Sequence, residues 1–177
     1  MTFILKKFIP DLYIKSFRDL DADTLRKKGI KLLICDIDNT LVAHDEAHPN
    51  DDVYSFVNKV KKSGLDFCFI SNNSKERVEL FAKSLKVKTY HFAKKPLKIT
   101  YRKIMKDYGY KPSEIASIGD QLMTDVLGGK RAKIYCILVN PVVTRDIAST
   151  KVNRIFENMV FKQLSRKNIL HKGEYDE

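Results

Sequence analysis

The sequence contains no hydrophobic run near the length of about 20 residues that a helix needs to cross a bilayer. Its N-terminal stretch, MTFILKKFIP, also lacks the order of a signal peptide, because its lysines follow the first apolar residues. The three cysteines, Cys35, Cys68 and Cys136, lie in apolar runs and lack the spacing of a metal site. These absences predict a cytoplasmic protein whose cysteines are buried free thiols.

Lysine and arginine are absent from residues 32–58, a segment that carries six acidic residues. Residues 75–111 are the reverse, with twelve basic and three acidic residues, and the net charge of the chain is +11. A chain with an acidic segment beside a basic one can hold a cation while it attracts an anion. Because no basic run is interleaved with aromatic residues, nucleic acid is a poor candidate for that anion.

The length of 177 residues favours one domain with a sizeable core. We predict a main domain over residues 31–165, a basic and apolar segment over 1–30 before it, and a polar tail over 166–177 after it. Apolar residues of the first segment have helical spacing that Pro10 interrupts. They can pack on the domain, form a partner surface or anchor the chain at a membrane, and these alternatives stay open.

Short apolar runs alternate with segments of helical periodicity along the main domain. The runs predict strands over 32–35, 66–70, 87–92, 115–118 and 134–139. The periodic segments predict helices over 23–28, from 51 or 52 to near 64, over 75–85 and 97–108, from near 126 to 129, and through 155–160. This alternation predicts an α/β domain of three layers with a five-stranded parallel sheet and right-handed crossovers.

Polar residues follow four successive predicted strands at the point where each strand ends. They are Asp36, Ser71, Lys95 and Asp120. Because the carboxyl ends of parallel strands lie along one edge of the sheet, we expect these side chains to converge there. Residues far apart in sequence then share one site.

Up to four carboxylates meet at this predicted site: Asp36, Asp38, Asp120 and Asp125. Like charges within about 4–6 Å of each other disfavour the ionised form, and a divalent cation removes that cost. An all-oxygen ligand set without histidine or cysteine at zinc spacing favours Mg²⁺. A lysine, a hydroxyl and backbone N–H groups beside the cation are typical of a site that positions a phosphoryl group.

Four motifs in this order resemble those of the haloacid dehalogenase phosphatase superfamily. They are DIDNT at 36–40, SNN at 71–73, KP at 95–96 and GDQLMTD at 119–125. The N-terminal FIPD, the AKKP around Lys95, the GDQLMTDVLGG run at 119–129 and VNR at 152–154 resemble the YqeG family of subclass IIIA. The resemblance covers most of the chain and implies a Rossmann-like fold and a Mg²⁺-dependent phosphatase.

The resemblance also implies roles for single residues. Asp36 would be the nucleophile that forms an aspartyl-phosphate, and Asp38 the general acid and base. Ser71 and the Asn72 backbone N–H would bind the phosphate, and Lys95 would stabilise the developing charge. Asp120 would bind Mg²⁺ with the Asp36 side chain and the Asp38 backbone carbonyl, and Asp125 would assist directly or through other ligands.

Other interpretations compete with these assignments at three positions: a structural role for Ser71 and for Asp125, and a neighbouring lysine in place of Lys95. Ser71 can cap the helix over 75–85, although Asn72 or Asn73 is the better candidate. Lys94 competes with Lys95, and only the following proline favours Lys95. Asp125 can simply begin a helix, where a carboxylate suits the positive end of the helix dipole.

The intervals between the motifs leave no room for a cap domain, so we expect an open site. Such a site suits a phosphate on a large molecule, one presented at a surface, or a cap supplied by a second subunit in a homo-oligomer. Some relatives of the YqeG family are phosphatidylglycerophosphate phosphatases, so the resemblance implies that lipid as a substrate. The basic segment over 75–111 and the apolar N-terminus would both suit peripheral contact with an anionic inner membrane surface. The alternatives are a soluble phosphatase of nucleotides, sugar phosphates or nucleic-acid ends, and a non-catalytic module that binds nucleic acid.

Overall fold

The computed structural model describes residues 5–143 and 151–176, with only the backbone described for residues 151–154. The first four residues of MTFILKKFIP and the side chains of the VNR motif therefore lie outside the described residues. No helix within the described ranges combines the length and the hydrophobicity needed to cross a bilayer.

Strands and helices alternate along most of the chain. The strands are Leu12–Ile14 (β1), Leu32–Cys35 (β2), Asp66–Ile70 (β3), Lys88–Tyr90 (β4), Ile115–Gly119 (β5) and Tyr135–Val139 (β6). The α-helices are Ala22–Lys27 (α1), Asp51–Lys62 (α2), Lys75–Ala82 (α3), Ile99–Tyr108 (α4), Leu127–Ala132 (α5) and Lys151–Ser165 (α6). A short π-helical turn, Leu122–Val126, precedes α5.

The strands form one parallel sheet in the order β1-β6-β5-β2-β3-β4. The α/β fold class is confirmed, but the predicted count of five strands is wrong, because the sheet has six. The missed strand β1 has three residues, and it pairs with β6 from the other end of the domain. A short edge strand has almost no periodicity of its own, so only its long-range pairing identifies it.

The side chains of strand β2 are buried on both faces of the sheet. All four of its residues are fully buried. Leu33 and Cys35 pack in one apolar cluster, whereas Leu32 and Ile34 pack in the other. Successive side chains of a strand point to opposite faces, so a continuous apolar run is what a central strand of a three-layer fold requires.

Both termini of the described chain pack on the sheet. Leu5 and Phe8, in a short 3-10 helix, are buried in the same cluster as Leu32. Near the other end, the Asp176 carboxylate accepts a hydrogen bond from the Tyr13 N–H at 2.7 Å, and the Asp176 N–H donates to the Tyr13 carbonyl at 2.8 Å. The apolar N-terminal residues that are described therefore contribute to the core, and the polar tail contacts the edge strand β1.

Several helix boundaries differ from the prediction, and three of these differences have a clear physical reason. Helix α2 is capped by Asn50 rather than by Asp51 or Asp52, and Asn50 Oδ1 accepts the Val53 N–H at 3.1 Å. Helix α3 is capped by Ser74 rather than by Asn72 or Asn73. Helix α5 continues through Gly128-Gly129, because packing against neighbouring side chains outweighs the low helix propensity of glycine.

Candidate active site

The candidate site lies at the carboxyl ends of β2 and β5, two neighbouring strands of the sheet. The chain continues from β2 towards β3 on one side, while β5 leads towards β6 on the other, so the strand order reverses between them. Open α/β sheets bind their ligands at such a point. Asp36 follows β2 directly and Asp120 follows β5 directly. The Thr40 hydroxyl lies between them, 3.4 Å from Asp36 Oδ2 and 3.1 Å from Asp120 Oδ1.

Lys95 connects two carboxylates from different strands at the centre of the site. Its Nζ lies 2.7 Å from Asp36 Oδ1 and 2.6 Å from Asp125 Oδ1. Only 3% of its side chain is exposed. The neighbouring Lys94 is exposed. The structure therefore brings Lys95, and not Lys94, to the strand ends where the sequence predicts a lysine.

Burial and mutual repulsion shift the protonation of this cluster. Burial raises the pKa of Asp36 to about 7, although the charge of Lys95 acts in the opposite direction. Burial, followed by the charges of Asp125 and Asp36, raises the pKa of Asp120 well above its usual range. Burial alone would lower the pKa of Lys95, but the charges of Asp125 and Asp36 outweigh it and hold that pKa above its ordinary value. Lys95 therefore remains a cation, but its single positive charge is not enough to keep Asp36 and Asp120 at their ordinary pKa values.

The position of Asp125 depends on a glycine and on the π-helical turn. A Cβ at Gly119 would lie 2.3 Å from Asp125 Cγ, so only glycine at the end of β5 leaves room for this carboxylate. Asp125 Oδ2 accepts hydrogen bonds from the Gln121 N–H at 3.1 Å and the Thr124 hydroxyl at 3.3 Å. With Oδ1 bonded to Lys95, both oxygens of Asp125 have partners within the protein. Asp125 is therefore suited to hold Lys95 in place.

The acidic cluster fits a divalent cation. One carboxylate oxygen from each of Asp36, Asp120 and Asp125 lies within 4.8 Å of the others. Three carboxylates face a single lysine, and all the donor atoms are oxygens, which is the donor set of Mg²⁺ rather than of zinc. The side chain of Asp38 does not belong to this cluster.

The Asp38 side chain is held by residues that follow β3. Arg77 Nη2 lies 2.9 Å from Asp38 Oδ1, and Asn73 Nδ2 lies 3.4 Å from Asp38 Oδ2. Arg77 also donates to the carbonyls of Glu46 at 2.6 Å and Ala47 at 3.3 Å. The guanidinium therefore connects Asp38 to the loop before α2.

Ser71 and Asn72 occupy the end of β3 beside these groups. Ser71 is buried and accepts the Asn73 N–H through its hydroxyl at 3.1 Å, so it does not cap α3. The Asn72 side chain accepts the Lys95 N–H at 2.7 Å and donates to the Lys95 carbonyl at 3.2 Å. The loop after β3 thus fixes the backbone of the residue that reaches into the acidic cluster.

Comparison with known proteins identifies the family. Residues 6–133 match the model of the haloacid dehalogenase-like hydrolases. The chain is also 34% identical over 165 residues to the probable phosphatase YqeG of Bacillus subtilis (strain 168), covering 93% of this chain and 96% of that protein. The chain belongs to the haloacid dehalogenase-like hydrolases. Membership of this family and the similarity to a probable phosphatase together support phosphatase activity, so the hydrolase is a phosphatase.

Two further proteins show how far the similarity extends. The hydrolase is 27% identical over 144 residues to phosphatidylglycerophosphate phosphatase 1, chloroplastic/mitochondrial, of Arabidopsis thaliana, and it spans 41% of that longer protein. The cobalt-bound deoxy-D-mannose-octulosonate 8-phosphate phosphatase of Haemophilus influenzae superposes with a TM-score of 0.50 at 13% identity, over 81% of this chain and 94% of that one. The second similarity concerns the fold alone.

Two residues that bind the predicted site residues of this hydrolase were not predicted from the sequence. Thr40 bridges Asp36 and Asp120, and it was visible as the last residue of the DIDNT motif. Arg77 binds Asp38 from the first turn of α3, and nothing in its sequence context distinguishes it from the other basic residues of that segment. The structure brings together Asp36, Lys95, Asp120 and Asp125, and it leaves the Asp38 side chain outside the acidic cluster.

Proposed function

We propose that this phosphatase is a Mg²⁺-dependent phosphomonoester hydrolase that acts through an aspartyl-phosphate on Asp36. The observation that carries this proposal is the buried Lys95 between Asp36 and Asp125, with Asp120 close enough to share a cation. Lys95 neutralises part of the carboxylate charge. The negative charge that remains can bind a metal ion, and the metal ion can in turn bind the phosphate. Phosphoryl transfer needs mainly such positioning and charge neutralisation.

The reaction proceeds in two steps. A carboxylate oxygen of Asp36 attacks phosphorus and forms a P–O bond, while the bond to the leaving oxygen breaks and Asp38 gives that oxygen a proton. Water then attacks the aspartyl-phosphate, Asp38 accepts its proton, and inorganic phosphate leaves as the Asp36 carboxylate returns. Burial raises the pKa of Asp36 and the charge of Lys95 offsets only part of that effect, so the lysine and the bound cation together would keep the nucleophile an anion.

The remaining residues hold the phosphate and the cation. The Ser71 hydroxyl, the Asn72 backbone N–H and Lys95 would bind phosphate oxygens. The Asp36 side chain, the Asp38 backbone carbonyl and Asp120 would hold Mg²⁺, which supplies charge neutralisation at the transferring phosphate. Asp125 would act through Lys95, because both of its oxygens already have protein partners.

Phosphatidylglycerophosphate is the proposed substrate, with nucleotides, sugar phosphates or nucleic-acid ends as the alternative class. The similarity to the plant phosphatase favours a phosphate presented at a surface, as does the lack of a cap domain over this edge within residues 5–143 and 151–176. We propose that the protein acts in the cytoplasm at the inner face of the membrane. A phosphate-release screen across phospholipids and soluble phosphate esters separates the two classes.

Asp36→Asn tests the reaction itself. We expect it to reduce Mg²⁺-dependent phosphate release from an aryl phosphate by at least about a thousandfold, because the nucleophile is lost. Asp51→Asn is the matched control, since Asp51 is an exposed acid in the first turn of α2, and it is expected to retain full activity. Unchanged phosphate release by the Asp36 variant would contradict the proposal, as would full activity of the wild type in a metal chelator.

A further inference from the structure

The loop that carries Lys95 exposes large apolar side chains on both sides of this buried lysine. Phe92, Leu97 and Ile99 are 56%, 47% and 66% exposed. Apolar area left in water costs about 25 cal/mol per Å², so folding leaves a substantial driving force for contact on this loop. The loop borders the site directly, because Lys95 lies within it.

This loop has a defined backbone. The Asn72 side chain binds both the N–H and the carbonyl of Lys95. The Phe92 N–H donates to the Asn73 carbonyl and the Ala93 N–H to the Ser71 carbonyl, each at 3.0 Å. These bonds hold the backbone of the loop that carries the exposed side chains.

The exposed charges of the same segment are all positive. Lys94, Lys98 and Arg102 are exposed, and no acidic residue occurs from 92 to 106. Among the described side chains, none of these three forms an ion pair with a carboxylate. The surface is thus both apolar and basic, with its positive charge uncompensated.

Helix α6 adds a second exposed apolar patch. Ile155, Phe156 and Met159 are 61%, 50% and 53% exposed. At 3.6 residues per turn they lie within one face of the helix, whereas Glu157 and Leu164 lie on the opposite face. That opposite face packs on the domain, since Leu164 is buried and Glu157 accepts a hydrogen bond from Leu122 in the π-helical turn. The helix beside the acidic cluster therefore directs apolar side chains outward.

Most of the exposed apolar residues lie on the loop that carries Lys95 or on the helix that binds the π-helical turn. Of the nine large apolar side chains that are exposed in the described part of the chain, six belong to these two patches. Val142, which follows β6, is a seventh at the carboxyl edge of the sheet, and Leu80 and Ile169 lie elsewhere. We call the six residues of the two patches the apolar rim: Phe92, Leu97, Ile99, Ile155, Phe156 and Met159.

We propose that the apolar rim is a docking surface for an anionic lipid bilayer. A bilayer accepts apolar side chains at the boundary between headgroups and acyl chains, and its anionic headgroups attract lysine and arginine. Lysine is depleted in protein–protein interfaces, so the lysines between these apolar residues favour a membrane over a second protein. The buried Leu5 and Phe8 are unavailable for such a contact. The proposal rests on the proposed function only in that the docked site would meet a phosphate at the bilayer surface.

Vesicle binding of the full-length protein tests this surface. We expect the wild type to co-sediment at physiological salt with vesicles of phosphatidylcholine and phosphatidylglycerol, and much less with phosphatidylcholine alone. Leu97→Ser/Ile99→Ser and Ile155→Ser/Met159→Ser should each weaken binding about tenfold or more, because half-exposed apolar area no longer enters the bilayer. Lys98→Gln and Arg102→Gln should each weaken it about fivefold. Leu80→Ser, an exposed apolar residue outside the rim, is the matched control and should bind like the wild type.

Several results would overturn the docking proposal. They are failure of the wild type to bind anionic vesicles, an equal loss in the Leu80 control, or rim variants that dissociate a dimer in sedimentation velocity while vesicle binding is unchanged. Thermal unfolding of each variant separates misfolding from loss of docking. Hydrolysis of a soluble aryl phosphate is measured in parallel, because its absence in a protein that binds vesicles would contradict the proposed function and leave the docking surface intact.

Discussion

At the scale of single residues, Lys95 balances the charge of the site. It is buried, and its ammonium lies within hydrogen-bonding distance of Asp36 and Asp125. An isolated buried charge costs several kcal/mol, so neither the lysine nor the two carboxylates are tolerable alone. The contacts with Asp36 and Asp125 also hold the Lys95 ammonium at the place where a phosphate would meet the predicted nucleophile.

Lys95→Met is expected to lower the free energy of unfolding by about 3–5 kcal/mol, because two buried carboxylates lose their partner. Urea unfolding with metal chelated measures the change. Lys94→Met is the matched control, since the neighbouring lysine is exposed, and it should stay within about 0.5 kcal/mol of the wild type. Equal stability of the two variants would contradict the assignment of Lys95 to the buried cluster.

At the scale of elements, α6 supports the turn that carries Asp125. Glu157 accepts a hydrogen bond from the Leu122 N–H at the start of the π-helical turn. Burial raises the pKa of Glu157 to about 7, against the lowering effect of the Leu122 and Met123 N–H groups. Two elements that are distant in sequence thus meet at the edge of the site.

Glu157→Ala is expected to destabilise the protein by about 1–3 kcal/mol and to weaken Mg²⁺ binding, because a buried N–H of the turn loses its acceptor. Glu157→Gln keeps an acceptor oxygen and should preserve most of both properties. Urea unfolding and calorimetric Mg²⁺ titration measure them. A glutamine variant that loses as much as the alanine variant would show that the negative charge, and not the hydrogen bond, is what matters.

At the scale of the whole molecule, the acidic cluster couples metal binding to stability and pH. The pKa of Asp36 rises from 3.8 to about 7 on folding. Between these values the folded state holds a proton that the unfolded state has released, so stability from this group falls as pH rises through that window. A divalent cation must displace the same proton from Asp36. Because the cation binds the folded state and not the unfolded state, it stabilises the fold.

Millimolar Mg²⁺ is therefore expected to raise the melting temperature more near about pH 8 than near about pH 6. Differential scanning fluorimetry across this range, with a chelator as reference, measures the difference. Asp120→Asn should remove most of the Mg²⁺ effect at both pH values. A gain in melting temperature that is independent of pH, or that survives in the Asp120 variant, would place the cation elsewhere.

The α/β class, the central strand and the carboxyl edge where the polar residues gather could all be predicted from the amino-acid sequence. A fully apolar run such as Leu32 to Cys35 is typical of a strand buried on both faces, and parallel strands place their carboxyl ends along one edge. The convergence of Asp36, Lys95 and Asp120 therefore follows from the order of the strands alone. The catalytic roles of these residues remain predictions.

The sixth strand, the partners of Asp38 and the position of Asp125 depend on tertiary contacts. Strand β1 exists through its pairing with β6, and Arg77 reaches Asp38 across 39 positions of the chain. Gly119 leaves the space that Asp125 fills. Local periodicity and capping preferences describe neighbours along the chain, whereas these contacts depend on which side chains the fold brings together in space.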